Sequence, residues 1–236
     1  MKQLYPQSIH TIFFDLDETL LDEISTRLHA IERFYDFIDS SFSLEVFRKK
    51  WDEGLAIYFP LFISNTISFL DHRRQRIRHI LNDSSITDEE ADRIFLVYLN
   101  HYEKGWNLFS DVIPCLESLK NFQLGIITNG NTAQQKKKIA NLNLTDWFEH
   151  VVISEEVGYS KPSSQIFEIA ARLFNTELEK CVYIGDKKND DALASCKAGM
   201  NGVWLNRKEK NKQALNKSTP VCNNLDEFVA YLATVN

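Results

Sequence analysis

Five short apolar runs set the strongest limit on what this chain can fold into: "HTIFF" ending at Phe14, "LGIIT" at Thr128, "HVVIS" at Ser154, "CVYIG" at Gly185 and "GVWLN" at Asn206. They are rich in Ile, Val, Phe and Tyr. They are also continuous rather than alternating, the pattern of strands covered on both faces. Helical segments lie between them. Pro114 suits a first helical turn and precedes Leu116 and Leu119. "TAQQKKKIANL" follows the second run, and "SSQIFEIAARLF" follows the third with Ile166, Phe167, Ala170, Leu173 and Phe174 at helical spacing. Strands alternating with helices imply parallel βαβ units, hence an α/β fold with a doubly wound, Rossmann-like parallel sheet.

One region breaks that rhythm. From Ile24 to Trp106 the chain reads as helix throughout, with stripes at Leu28, Ile31, Phe34, Tyr35 and Ile38, at Leu44, Phe47, Trp51, Leu55 and Tyr58, and at Ala91, Ile94, Phe95, Tyr98 and Tyr102. Thr87-x-x-Glu90 is a capping box opening the last of these. The chain of 236 residues therefore divides into an α/β core of residues 1–22 and 107–236 and an inserted all-helical domain of residues 23–106. The insertion follows the C-terminal end of the first strand, where open α/β sheets bind ligands, so it falls where a lid would.

The bulk composition narrows the partners. Apolar residues make up 44% and charged residues 25%, as expected of a globular, soluble chain. A net charge of -6 argues against nucleic acid, because phosphate-backbone binding needs a positive surface. The first residues, "MKQLYPQSIH", have no apolar signal core, and no run approaches a membrane span. The expectation is a cytoplasmic monomer acting on a small molecule. Cys115, Cys181, Cys196 and Cys222 are scattered without metal-ligand spacing and read as reduced thiols.

Polar residues follow the strand runs directly: Asp15-Leu16-Asp17-Glu18-Thr19 after the first, Thr128-Asn129-Gly130 at the second, and Gly185-Asp186 with Asn189, Asp190 and Asp191 at the fourth. Lys161 follows the third. A parallel sheet gathers all of these along one edge. Carboxylates from two strand ends suit Mg²⁺, a hard cation that takes oxygen ligands. A hydroxyl, backbone N–H groups and an ammonium suit phosphoryl oxygens, and a carboxylate can serve as nucleophile. For any one cluster alone, a strand-ending turn explains the residues equally well.

Taken in order, "DLDET", "TNG", "SKP" and "GDKKNDD" resemble the four motifs of the haloacid dehalogenase superfamily, in its large phosphatase branch. The helical block resembles the cap inserted after the first motif. "GIITNG" and "VISEEVGYSKPSSQIF" look closest to the pyrimidine-nucleotidase-like, house-cleaning phosphatases of that branch. The resemblance implies hydrolysis of a small phosphorylated metabolite, such as a nucleoside 5'-monophosphate, in two steps. Asp15 would attack phosphorus, and Asp17 would protonate the leaving group and then activate water. Mg²⁺ would rest on Asp15, the carbonyl of Asp17, Asp186 and Asp191, although Asp190 competes with Asp191 for that part. Thr19, Thr128, Asn129, Gly130 and Lys161 would hold the phosphoryl group, and Arg76 is the nearest match to a substrate-facing cap arginine. A phosphomutase or a non-catalytic descendant would share the fold; a dehalogenase is disfavoured by the acid at Asp17. The aromatics Trp51, Tyr58, Phe59 and Phe62 read as bundle core, and "HRRQRIRHI" as a solvated helix face.

Overall fold

The computed structural model describes residues 9–38, 40–208 and 219–235. The polar segment Arg207 to Ser218 lies outside the described residues except for its first two. Among the described residues, six strands form one parallel sheet: β1 (Thr11–Phe14), β2 (Gln123–Thr128), β3 (His150–Ile153), β4 (Cys181–Gly185), β5 (Asn201–Leu205) and β6 (Val221–Cys222). Their order is β3-β2-β1-β4-β5-β6. The first five match the apolar runs. The sixth has two residues, too few to show a period.

Helices follow in chain order: α1 (Glu23–Ile38), α2 (Leu44–Ile63), α3 (Phe69–Leu81), α4 (Asp88–Lys104), α5 (Val112–Ser118), α6 (Thr132–Asn141), α7 (Ser154–Val157), α8 (Ser164–Leu173), α9 (Ala194–Ala198) and α10 (Leu225–Val235). The chain divides into two compact units, one of residues 1–22 and 108–236 and the other of residues 23–107.

In the sheet unit, β1 is buried along its whole length because successive side chains serve opposite faces. Phe13 points to one face and meets Phe174 edge-on at 4.9 Å, joining a cluster with Ile127, Val152, Ile166, Phe167 and Tyr183. Phe14 points to the other and meets Phe148 at 6.0 Å and Phe228 of α10 at 5.9 Å. The run is apolar without alternation for this reason. The strand order runs outward from β1 to β3 and resumes with β4 on the other side of β1, so it reverses between β1 and β4, the switch point where such sheets form a crevice. The chain leaves this unit after Asp22 and re-enters it at Leu108, and Leu21 pairs with Leu108 as an antiparallel bridge. An 85-residue excursion thus begins and ends at one point of the sheet unit.

The helical unit is built by α1 to α4, with Thr87 Oγ1 accepting from the Glu90 N–H at the start of α4. Its core is aromatic: Phe34, Phe47, Trp51, Phe95 and Tyr98 interlock through ring contacts between 4.1 and 6.2 Å. Helix α3 departs from the solvated face expected of it. His72, Arg76, Ile77 and Ile80 are buried, and Arg73 lies over Phe69 and Phe95. The mixture of basic and aliphatic residues hid this, because guanidinium groups can pack on rings as apolar surface does. In α8, Leu173 is 45% exposed although it fits the helical stripe, being the last residue before the chain turns away.

Candidate active site

The Asp15 N–H donates to Ile184 O at 2.9 Å, continuing the β1–β4 ladder past Phe14 and fixing Asp15 to the sheet. Beyond it the chain closes a tight loop, with Leu20 and Leu21 N–H both donating to Leu16 O and Glu18 N–H to Leu21 O. Glu18 takes a left-handed φ of 62°, an uncommon setting for a residue with a Cβ. The loop holds Asp17 two residues from Asp15 while burying Leu16, Leu20 and Leu21 beneath.

At the neighbouring strand end, a Cβ on Gly185 would stand 2.7 Å from Asp191 Cβ, so only glycine leaves room for that side chain. A wide π turn over Lys188–Leu193 carries Asp191 inward, and its Oδ2 accepts the Lys187 N–H at 2.8 Å. Asp191 rather than Asp190 is the fully buried acid of the pair. Asp15, Asp186 and Asp191 bring carboxylate oxygens within 4.8 Å of one another. Asp186 is anchored by its main chain, whose carbonyl accepts from Trp204 Nε1, and its Oδ1 is buried without a hydrogen-bond partner among the described residues.

Lys161 enters this acidic group from the loop after α7. Its Nζ donates to Asp15 Oδ1 at 2.6 Å, Asp191 Oδ1 at 2.7 Å and the Tyr183 hydroxyl at 2.7 Å. The Tyr183 hydroxyl in turn lies 3.1 Å from Ile127 O and 3.0 Å from Asp191 Oδ1, and its single proton serves one of them. Lys161 thus serves two of the three carboxylates, and Lys187 is the larger positive influence on Asp186. Burial, with Asp191 and Asp186 nearby, pushes Asp15 up to about 7 against the pull of Lys161. Asp186 is pushed to about 7 by burial and by Asp191. Burial works against the charged form of Lys161, but Asp15 and Asp191 outweigh it and hold its pKa above the usual lysine value. Nearby lysines do not offset burial and mutual repulsion for Asp15 and Asp186.

The loop after β2 makes several bonds within the protein. The Asn129 side chain exchanges two bonds with the Lys161 main chain, Nδ2 to O and Oδ1 from N–H, each 2.9 Å. That side chain is thereby tied to the Lys161 main chain. The Gly130 N–H donates to Ser154 Oγ at 3.0 Å. Thr128 is buried, with Oγ1 accepting from Gln135 Nε2 at 2.8 Å.

Thr19 is fully buried with Oγ1 unpartnered among the described residues, and its carbonyl accepts from Arg207. Arg76 belongs to the helical unit, where its guanidinium lies 4.3 Å from the Trp51 ring centroid. Sequence reasoning missed Tyr183, Gln135 and Lys138. Gln135 Nε2 and Lys138 Nζ reach Asp17 at 3.0 and 2.6 Å. The only signal was their i, i+3 spacing in a helix that starts just after "TNG". Tyr183 was hidden as one more aromatic in a strand.

A sequence model of the haloacid dehalogenase-like hydrolases matches residues 9–199, and the chain belongs to that family. Among its relatives, the glyceraldehyde 3-phosphate phosphatase of Pyrococcus abyssi (strain GE5 / Orsay) is 37% identical over 206 residues, covering 84% of this chain and 81% of that protein. The pyrimidine 5'-nucleotidase YjjG of Escherichia coli (strain K12) is 28% identical over 200 residues, covering 83% and 85%. The crystal structure of the HAD-hydrolase YfnB from Bacillus subtilis bound to magnesium shares the fold at a TM-score of 0.81 and 20% identity, covering 96% of this chain and 100% of that one.

Proposed function

We propose that the chain is a Mg²⁺-dependent phosphomonoester hydrolase acting on a small phosphorylated metabolite. The observation that carries this reading is the setting of Asp15: a carboxylate fixed at the end of a buried strand, 2.6 Å from the Lys161 ammonium, among acids, with burial and repulsion that nearby lysines do not offset. In the first step Asp15 attacks phosphorus, the bond from phosphorus to the leaving oxygen breaks, and Asp17 passes its proton to that oxygen. In the second, Asp17 takes a proton from the water that attacks the aspartyl phosphate, and the Asp15 carboxylate is released with inorganic phosphate. Thr128 and Lys161 hold phosphoryl oxygens; Lys161 exchanges one of its present acceptors to do so.

The residues fit the metal. Asp15, Asp186 and Asp191 supply hard oxygen donors within 4.8 Å, and the unpartnered Asp186 Oδ1 is aimed at no protein group. These three and the Asp17 carbonyl would hold Mg²⁺, which supplies charge neutralisation between an anionic nucleophile and an anionic phosphate.

Asp15→Asn is expected to lower Mg²⁺-dependent hydrolysis of p-nitrophenyl phosphate by roughly 10⁴-fold or more with an unchanged circular dichroism spectrum. Retained turnover would remove Asp15 as nucleophile, and activity unaffected by EDTA would remove the metal. Relatives named for glyceraldehyde 3-phosphate and for pyrimidine nucleotides support a panel of triose phosphates, other sugar phosphates and nucleoside monophosphates as substrates to rank by phosphate release. Conversion of a sugar phosphate without release would identify a mutase instead.

A further inference from the structure

We infer that Lys138 and Gln135 are positioning residues that aim the Asp17 carboxyl group at the leaving oxygen. The inference rests on the reading of Asp17 as proton donor. Lys138 Nζ donates to Asp17 Oδ1 at 2.6 Å and Gln135 Nε2 to Oδ2 at 3.0 Å, so each oxygen has its own donor and the carboxyl plane is fixed. Both donors come from one face of α6, three residues apart, and both are buried, 3% and 2% exposed. The Lys138–Asp17 ion pair spans 2.6 Å and fixes the orientation of the carboxyl group.

The mounting of α6 is equally specific. Asn131 Oδ1 accepts the Gln134 N–H at 3.1 Å as the N-cap, and Asn131 Nδ2 is held by both Glu155 oxygens at 2.9 and 2.8 Å. Gly130, at φ 150°, makes room for Gln135: a Cβ there would lie 3.1 Å from Gln135 Cδ. Gln135 Nε2 also donates to Thr128 Oγ1 at 2.8 Å, so one amide ties the Asp17 carboxyl to the hydroxyl proposed to hold phosphate. A lysine buried for packing alone would need none of these links. Here the aim of Asp17 and the seat of the phosphoryl group are set by one helix.

Proton donation matters when the leaving oxygen is a poor leaving group. An alkoxide must be protonated as its bond to phosphorus breaks, whereas p-nitrophenolate departs without help. The parameter kcat/KM reports the steps through that departure. It should be measured with Mg²⁺ for p-nitrophenyl phosphate and for an alkyl phosphate, in the wild type, Asp17→Asn, Lys138→Met, Lys138→Arg and Gln135→Met. Asp17→Asn should lower the alkyl ester about a hundredfold more than the aryl ester. Lys138→Met should show the same skew at about tenfold, with Lys138→Arg recovering most of it. Equal losses on both esters in Lys138→Met, or no loss, alongside a skewed Asp17→Asn, overturn the positioning role alone. An unskewed Asp17→Asn overturns the reading of Asp17 and the inference with it. If thermal melting shows that Lys138→Met does not fold, Gln135→Met decides the matter: a skew in the same direction supports the positioning role, and equal losses on both esters overturn it.

Discussion

Lys161 in the sheet unit and Arg76 in the helical unit are cations buried to nearly the same degree, 5% and 4% exposed, and their surroundings treat them in opposite ways. Three acceptors stand within 2.7 Å of the Lys161 ammonium, two of them carboxylates, and their charge outweighs the burial that works against it. The Arg76 guanidinium has Nε and Nη2 without hydrogen-bond partners among the described residues and lies over the Trp51 and Phe95 rings, at 4.3 and 5.8 Å. There burial prevails and pulls its pKa down to about 10, although Tyr98 and Glu23 act in the other direction. The first cation is held by directional bonds that fix distances, which is what stabilising a transition state requires. The second is held by ring faces, which tolerate movement.

That contrast makes Lys161→Met the most severe of the stability tests. The substitution leaves Asp15 and Asp191 buried without their shared cation, a loss of roughly 3 kcal/mol at neutral pH without metal. The pH dependence follows from Asp15, whose folded pKa is already raised. Without Lys161 it rises further, the folded state then binds more protons than the unfolded chain, and stability falls as pH increases from about 4 through neutrality. Urea midpoints in EDTA at pH 5 and pH 8 should show a larger deficit at pH 8. An equal deficit at both would mean that the acids are not held ionised by Lys161.

The same contrast explains what the sequence could disclose. Asp15, Asp186, Lys161 and Thr128 were legible because strand ends are easily located and a parallel sheet must bring them to one edge. The five long strands were legible through their unbroken apolar runs. Bonds that depend on side-chain direction were not. Nothing in "TNG" shows that Asn129 turns to the Lys161 main chain or that the Gly130 N–H is taken by Ser154. Choosing Asp191 over Asp190 needed the π turn and the space at Gly185. In the helical unit, the stripes gave the helices but not the interior of α3, because "HRRQRIRHI" is basic by composition and half aromatic cushion by contact.

His72 gives a second, smaller test on the helical side. It is 3% exposed among the rings of Phe59, Phe62 and Phe69, and burial, with Arg76 and Arg73 nearby, holds its pKa down to about 3. A histidine in the unfolded chain takes its proton near 6.5. Between those values the unfolded state binds the extra proton, so this group stabilises the fold above pH 6.5 and loses that contribution as pH falls toward 3. Between pH 7.5 and pH 5 the effect amounts to about 2 kcal/mol. His72→Leu should therefore flatten the acid side of the stability profile relative to wild type. An unchanged slope would show that His72 becomes protonated without unfolding the bundle.

The smallest stability effect is expected at Arg76, and it bears most directly on the comparison. Arg76→Met keeps an unbranched, apolar filling against Trp51 and removes a cation with few directional bonds. The lost ring contact and the relieved desolvation oppose each other, so the net change should stay within about 1 kcal/mol, a few degrees in Tm. A loss above about 3 kcal/mol would break the comparison, since it would place Arg76 with Lys161 as a structural charge. With stability nearly unchanged, kinetics decide what the residue is for. A raised KM with unchanged kcat would assign the guanidinium to substrate binding, as the family resemblance implies. Unchanged values of both would leave it as packing. The helical unit would then carry a buried cation for the shape of its interior, and recognition would have to come from other residues.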